Sequence, residues 1–119
     1  QDAMFGSTNE VMGTSYRSRI NDPKYQFAGK TGTSQVKKIT EKDRELDLKT
    51  FEIPYEERDH ALYIAYGPYK DPRYATSILV EHGGNGSTTA APMAKKLFKK
   101  IIDRHQLRES VKNRKYMEI

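Results

Sequence analysis

The sequence predicts an α+β fold in which antiparallel strands pack against a C-terminal helix. Two apolar runs, residues 61–68 and 74–82, have the length of strands, and the short turn at residues 70–73 makes them antiparallel neighbours. A third strand is predicted earlier, at residues 25–36. Residues 88–106 repeat apolar side chains at helical spacing, which indicates one buried helix face. The predicted buried residues of this helix are Ala90, Ala94, Leu97, Phe98, Ile101 and Ile102.

The segment before the first strand combines a helix and a connector. Residues 1–12 are predicted to be the end of a helix that Gly13 closes. Residues 14–23 form a polar connector, and Pro23 after Asp22 marks a turn.

The remaining segments are charged. Residues 37–60 contain many charged side chains and few apolar ones, so we expect a long, mobile loop or lid inserted between two strands. Ser87 or Thr88 is expected to cap the last helix, with Pro92 in its first turn. The final residues, 107–119, show charge without periodicity and are predicted to be a loose tail.

A Lys-Thr-Gly triplet in the first strand is the most informative motif. Because side chains alternate along a strand, Lys30 and Gly32 share one face, while Thr31 and Thr33 share the other. The lysine supplies a positive charge beside a carboxylate or a proton-sharing hydroxyl, and Gly32 leaves room for a close ligand. On an edge strand, a backbone N–H would also be free to stabilise a developing oxyanion. Alone, such a triplet also occurs by chance in many strands.

Ordered blocks around the triplet make the chain resemble the C-terminal part of the transpeptidase domain of class B penicillin-binding proteins, in particular the elongation-type enzymes. The resemblance covers about residues 2–105. Its blocks are Met12-Gly13-Thr14-Ser15, the strand from Ala28 to Val36, Arg58-Asp59-His60-Ala61 with the run Leu62 to Tyr69, Val80-Glu81-His82-Gly83-Gly84, and Ala90-Ala91-Pro92-Met93-Ala94.

The resemblance implies a function for the whole protein. It would be a D,D-transpeptidase that cross-links peptidoglycan stem peptides through a serine acyl-enzyme, and β-lactams would acylate it. Its fold would be that of the penicillin-binding and serine β-lactamase-like domains, with residues 1–106 as the C-terminal part of that domain and 107–119 as the charged tail. The expected partners are the stem peptide, β-lactams, the remaining N-terminal part of the domain and a membrane glycosyltransferase. We expect no nucleic acid, and the location would be the periplasmic face of the bacterial inner membrane.

The resemblance also implies roles for the motif residues. Lys30 and the backbone N–H of Thr33 would be catalytic: the lysine helps proton transfer, and the N–H forms half of an oxyanion hole. Substrate binding would use Lys30, Thr31, Gly32 and Thr33, with the threonine hydroxyls on the substrate carboxylate. No cofactor or metal is expected.

Length and composition agree with a fragment of such an enzyme. The chain has 119 residues, of which 35% are hydrophobic and 31% charged, a polar balance for an independent core. It has no cysteine and so no disulfide or thiolate-metal framework. No apolar run has membrane-spanning length, and no signal peptide opens the chain, so the anchor of the family would lie outside these residues and Gln1 would be an internal start.

Two serine motifs that such an enzyme needs are matched only formally. Ser34 and Lys37 have Ser-x-x-Lys spacing, but in a strand they would point to opposite faces, whereas the chemistry needs a helix. Ser7-Thr8-Asn9 matches Ser-x-Asn but lies in the block that precedes the motif strand. We therefore interpret both as coincidences and expect the fragment alone to be inactive.

Other candidate residues favour structural roles. Asp59 and His60 are a possible acid–base pair, although their place at a strand entry favours hydrogen bonding at the foot of the loop. His82 and His105 lack partners at metal-ligand spacing, and the glycine-rich stretch after His82 indicates a tight turn.

Two other function classes remain open from the residues alone. A basic stretch favours a solvated helix face but is also compatible with contact to nucleic acid or an anionic membrane. It contains Lys95, Lys96, Lys99, Lys100, Arg104, Arg108, Lys112, Arg114 and Lys115. Alternatively, the fragment is a non-catalytic interaction module that holds a partner with residues 37–60.

Overall fold

A computed structural model describes residues 2–38 and 40–118 of the chain, without the side chain of Asp43. Three strands form one antiparallel sheet in the order β1-β2-β3. Their bounds are β1 Ala28–Ser34, β2 His60–Gly67 and β3 Tyr74–Val80. The helices are α1 Asp2–Asn9, α2 Glu41–Leu46 and α3 Ala91–Met117. The predicted α+β class and the antiparallel pairing of the last two strands are confirmed.

One face of the sheet packs on helices because every second residue of β2 is apolar and small or aromatic. Ala61, Tyr63 and Ala65 are buried along this face. At its centre the ring of Phe27 stacks on that of Phe98 from α3, with centroids 5.1 Å apart, and meets Tyr63 edge-on at 6.5 Å. This small aromatic core fixes α3 beneath the sheet.

The core face of α3 differs in part from the prediction. Ala94, Phe98 and Ile102 are buried as expected, as is Ala90 directly before the helix, but Leu97 is 36% exposed. Ile101 is only partly buried. Among the described residues the sheet has three strands, so a narrow strip of the helix suffices to cover its inner face.

Both ends of α3 differ from those predicted from the sequence. A π-helical turn, Gly86–Ala90, precedes it, and the Asn85 side chain caps this turn by accepting from Ser87 N, so neither Ser87 nor Thr88 is the cap. Pro92 lies in the first turn as expected. The helix then continues to Met117, so residues 107–117 are helical, and the loose tail predicted for 107–119 is wrong over that range. The adjoining Ile119 lies outside the described residues.

The insertion between β1 and β2 is more structured than a plain loop. It contains the short helix α2 and two 3₁₀ turns, Thr50–Glu52 and Tyr55–Glu57. Local hydrogen bonds explain these turns, for example Glu52 N to Lys49 O at 2.9 Å. A run of exposed, charged residues therefore adopts local structure with little burial. Its predicted mobility remains a prediction.

Candidate active site

The Lys-Thr-Gly triplet lies on β1, which is an edge strand of the sheet, as expected. The register sets Lys30 opposite Ile64 and Thr31 opposite Tyr63. Opposed residues of an antiparallel pair project from the same face, so Thr31 shares the helix-covered face and Lys30 the other. This confirms the predicted alternation of the motif side chains.

The backbone of the motif strand presents polar groups at its free edge. Gly29 N donates to the Thr8 hydroxyl at 3.0 Å, so the N–H of Gly29 points away from β2. Because every second residue of a strand directs its N–H to the same side, Thr31 and Thr33 direct theirs to this edge too. Lys30 Nζ donates to the carbonyl of Thr31 at 2.8 Å, which brings the ammonium to the same edge. A cation and two backbone donors therefore converge there.

Three hydroxyls form a line next to this edge. The Thr31 hydroxyl lies 3.4 Å from that of Thr14, which lies 3.2 Å from that of Ser7. From the sequence, Thr14 was predicted only as part of a turn, without a contact to the motif. Its contact with Thr31 arises because the turn after α1 folds back onto the inner face of β1.

A buried hydroxyl cluster, formed by Thr8, Ser15 and Tyr63, supports the strand from below. The Tyr63 hydroxyl lies 2.9 Å from that of Thr8 and 3.0 Å from that of Ser15. Ser15 also donates to Ser7 O at 3.0 Å, and none of the buried side-chain N or O atoms of the described residues lacks a partner. Burial raises the pKa of Tyr63, although its hydrogen-bond contacts with Ser15 and Thr8 oppose that shift. This cluster could not be predicted from the sequence, because hydroxyl residues in a polar turn give no burial signal.

Two glycines of the motif strand have different local surroundings. A Cβ atom on Gly29 would overlap the hydroxyl and ring of Tyr63, so the close approach of the strand to the buried cluster requires glycine. A Cβ on Gly32 would meet only Leu62 Cβ at 3.4 Å, an ordinary contact distance. Packing within the described chain therefore does not require Gly32, which leaves a ligand as a reason for it.

An open groove of about 450 Å³ lies beside the motif lysine. It runs between Lys30 and the α1 side of the fold, with Ser7, Thr14 and Glu10 among its lining residues. The groove gives the edge of β1 a solvent-accessible space in which a ligand can lie.

The two formal serine motifs do not form catalytic pairs in the structure. Ser34 ends β1, and Lys37 lies beyond it, outside any helix, with its Nζ 3.5 Å from Glu57. In the other match, Asn9 Nδ2 donates to Phe27 O at 2.9 Å, which ties α1 to the chain entering β1. The interpretation of both motifs as coincidences stays a prediction, and Ser7 does lie near the motif strand.

Asp59 and His60 have hydrogen-bonding roles at the foot of the insertion. The Asp59 carboxylate accepts from Val36 N at 3.1 Å, and His60 Nδ1 accepts from His82 N at 2.9 Å. His82 in turn donates from Nδ1 to the carbonyl of Arg58 at 2.9 Å. These bonds join the end of β1, the start of β2 and the turn after β3, as the structural interpretation predicted.

The insertion also borders a groove of about 470 Å³, and none of the residues that line it belongs to the motif triplet. Its charged lining mixes both signs, with Lys37, Lys38, Arg44 and Arg58 near Asp47, Glu57 and Asp59. Mixed charges favour neither an anionic nor a cationic ligand.

No group of three or more His, Cys, Asp or Glu side chains in residues 2–38 and 40–118 is placed to hold a metal ion. None of the helices within these ranges is both long and apolar enough to span a bilayer.

The chain is similar to known peptidoglycan enzymes. Residues 1–103 match the penicillin binding protein transpeptidase domain family. The peptidoglycan D,D-transpeptidase MrdA of Salmonella typhimurium is 38% identical over 103 residues, and that of Haemophilus influenzae is 36% identical over 95 residues. These alignments cover 87% and 80% of this chain, but only 16% and 14% of the relatives. The chain thus spans about one sixth of the length of these relatives.

Solved structures give the same likeness. The penicillin-binding protein PBP2 of Helicobacter pylori, in a complex with MreC, matches with a TM-score of 0.63 and 35% identity, covering 84% of this chain and 16% of that one. PBP2 of Pseudomonas aeruginosa, in complex with WCK 5153, matches with a TM-score of 0.56 and 29% identity, covering 79% and 16%.

Proposed function

Because this chain belongs to the penicillin-binding protein transpeptidase family, we propose that it is the C-terminal part of a D,D-transpeptidase that cross-links peptidoglycan stem peptides through a serine acyl-enzyme. The observation that supports this most is the edge of β1. There Lys30 Nζ, the N–H groups of Thr31 and Thr33 and the space above Gly32 converge beside an open groove. A peptide or β-lactam carbonyl placed at this edge meets both a cation and backbone donors.

The proposed reaction has two acyl transfers. A serine outside these 119 residues attacks the D-Ala-D-Ala carbonyl, an ester forms, and the terminal D-alanine leaves with a proton. The amine of a neighbouring stem peptide then attacks the ester, a new peptide bond forms, and the serine regains its proton. Lys30 assists proton transfer, and the Thr33 N–H donates to the oxyanion of both tetrahedral intermediates.

The same edge serves substrate binding in this proposal. The hydroxyls of Thr31 and Thr33 donate to the substrate carboxylate, and Lys30 adds a charge-assisted contact. Gly32 lets the substrate approach the backbone. Thr14 orients the Thr31 hydroxyl through the 3.4 Å contact between their oxygen atoms.

The partners follow from the same proposal. The stem peptide is the substrate, β-lactams acylate the same serine, and the remaining N-terminal part of the domain supplies that serine. A membrane glycosyltransferase provides the glycan strands, and the protein works at the periplasmic face of the inner membrane. The Helicobacter pylori relative forms a complex with MreC, which makes a protein similar to MreC a candidate partner here.

The proposal predicts that the 119-residue chain alone is not acylated by a penicillin. The reason is that its one Ser-x-x-Lys match, Ser34 to Lys37, lies outside any helix. Intact-mass measurement after incubation with benzylpenicillin should show no adduct on this chain. The complete protein should gain one adduct, on a serine outside these residues.

The same measurement separates the possible outcomes. A stoichiometric adduct on Ser34 or Ser7 of the isolated chain would show that the nucleophile lies within it. A complete protein that remains unlabelled, while folded by circular dichroism, would contradict the transpeptidase proposal.

A further inference from the structure

The helix α3 extends well beyond the part of the chain that the family match covers. The match ends at residue 103, whereas the helix ends at Met117. Near that point, Asp103 accepts from the Tyr25 hydroxyl, and His105 Nδ1 lies 2.7 Å from the Tyr74 hydroxyl. From residue 106 to residue 118 every residue is exposed. About three turns of helix therefore project from the sheet without being buried against it.

This extension belongs to a strongly basic segment. Residues 95–119 contain nine Lys and Arg against three Asp and Glu, a net charge of +6, while residues 1–94 contain twelve against thirteen, a net charge of −1. The positive charge of the whole chain is thus concentrated on α3. A local excess of this kind attracts an anionic partner from solution.

Four of the basic residues form a stripe along one side of the helix. An α-helix turns by 100° per residue, so an arc of about 80° around the helix axis contains all four: Arg104, Arg108, Lys112 and Lys115. All four side chains are exposed. We call these four residues the basic stripe. Its guanidinium and ammonium groups recur about once per helical turn, and this spacing suits a partner with repeated anionic groups.

The apolar residues of the extension do not form a membrane-binding face. Leu107 and Val111 lie one turn apart, but Tyr116 is about 180° around the helix from Leu107. A helix that lies in a bilayer surface needs one continuous apolar face, which this segment lacks. Only one aromatic residue, Tyr116, lies among its basic residues, so there is no stacking platform for single-stranded nucleic acid.

From this arrangement we propose that the basic stripe binds the carboxylate groups of the peptidoglycan itself, outside the active site. The identity of the polymer rests on the proposed function, because the substrate of a D,D-transpeptidase is a network of peptides with free carboxylates. Each exposed ion pair contributes little, but several pairs along one polymer act together. The stripe holds the enzyme on the wall while the stem peptide is exchanged at β1.

The test measures co-sedimentation of the full 119-residue chain with purified sacculi at low and high salt. The variant carries Arg104→Gln, Arg108→Gln, Lys112→Gln and Lys115→Gln, which keep helix propensity because glutamine is a good helix former. The matched control removes four other exposed cations, with Lys24→Gln, Lys38→Gln, Lys42→Gln and Lys70→Gln. Circular dichroism checks that both variants keep the helix.

We expect the stripe variant to bind sacculi about ten- to thirtyfold more weakly than the parent, since four weak ion pairs are lost. The control should bind within about threefold of the parent, and 0.5 M salt should release the parent because it screens exposed charges. Amidation of the sacculus carboxylates should abolish the difference between parent and variant.

Four results would overturn the proposal. They are sacculus binding of the stripe variant equal to that of the parent, equal loss of binding in the two variants, unchanged binding to amidated sacculi, and tighter binding to phosphatidylglycerol vesicles than to sacculi. Penicillin labelling of the complete protein carrying the stripe substitutions separates this inference from the proposed function. If labelling persists while sacculus binding of the variant equals that of the parent, only the present inference fails.

Discussion

The two ends of the motif strand are held in different ways. At its start, Gly29 hydrogen bonds to Thr8, which belongs to the buried cluster with Ser15 and Tyr63. Beyond its end, the chain enters the 37–60 insertion, where Lys37 and Glu57 form an ion pair at 3.5 Å with about half of each side chain exposed. A buried, satisfied hydrogen-bond network resists change, whereas an exposed ion pair contributes between 0 and about 1 kcal/mol.

This difference shows where the geometry of the candidate site originates. Lys30 directly follows Gly29, so the buried cluster positions the lysine and the free edge of β1. The insertion is attached at its foot by single hydrogen bonds. The Asp59 carboxylate accepts from Val36 N, the Asp59 carbonyl accepts from Gly84 N, and the Arg58 carbonyl accepts from His82 Nδ1. We therefore expect changes below the strand to disturb the site more than changes in the insertion.

The largest effect should come from Gly29→Ala. Its new methyl group would overlap the Tyr63 hydroxyl and ring, and such overpacking costs about 1–3 kcal/mol of unfolding free energy. Gly32→Ala is the matched control, because its methyl group has room and alanine costs less conformational entropy than glycine. Urea unfolding monitored by circular dichroism compares the two variants with the parent. Equal stability of the two variants would contradict the role assigned to the buried cluster.

A smaller effect is expected from Tyr63→Phe. The substitution removes one hydroxyl, while Thr8 keeps its bond to Gly29 N and Ser15 keeps its bond to Ser7 O. The free energy of unfolding should therefore fall by about 1–2 kcal/mol at neutral pH. Chemical denaturation at several pH values measures it.

The same variant tests the raised pKa of Tyr63. Tyrosine ionises near 10.0 in the unfolded chain, and burial keeps the folded group protonated to higher pH. The parent should thus keep this stability below about pH 10 and lose it as the pH rises further, through the folded pKa. Because the phenylalanine variant cannot ionise at position 63, the unfolding free energies of parent and variant should converge as the pH rises through the folded pKa. A constant difference from pH 7 to pH 11 would contradict the pKa shift.

The smallest free-energy difference is expected within the insertion, between its folded state and its locally opened state. Backbone amides of residues 37–60 should exchange with solvent much faster than those of β3 residues 75–80, because exposed local turns open at low cost. Hydrogen exchange followed by mass spectrometry measures both segments in one sample. Equal protection in the two segments would contradict the contrast between the two ends of β1.

The sequence predicted those parts of the fold that depend on local periodicity. The strands β2 and β3, the edge position of Lys30 and the helix around Phe98 follow from alternation, spacing and ordered blocks. The limits of these elements were less accurate because capping depends on side-chain geometry. Asn85 caps the turn before α3 although Ser87 and Thr88 were favoured.

Other features depend on contacts between distant segments, which no local pattern reports. The buried cluster joins Thr8 to Tyr63 across 55 positions, and Thr14 reaches Thr31 across 17. The continuation of α3 was missed for a different reason. Residues 107–117 contain many good helix formers. The segment is highly charged, however, and lacks the periodic apolar residues on which the helix prediction relied.

The most direct test of the central claim, that the edge of β1 is a wall of the active site, compares acylation rates in the complete protein. We predict that Lys30→Ala lowers the second-order rate of acylation by benzylpenicillin by about ten- to hundredfold, because a charge-assisted contact is typically worth about 1.5–3 kcal/mol. Thr31→Ala should lower the acylation rate less than Lys30→Ala does, since it removes one hydroxyl among several donors.

Lys38→Ala, an exposed lysine just beyond the strand, is the control and should acylate at the parental rate. All variants should melt within a few degrees of the parent, because these side chains add little packing. The account predicts a slow but folded Lys30→Ala enzyme. Acylation of that variant at the parental rate would contradict the assignment of β1 to the active site.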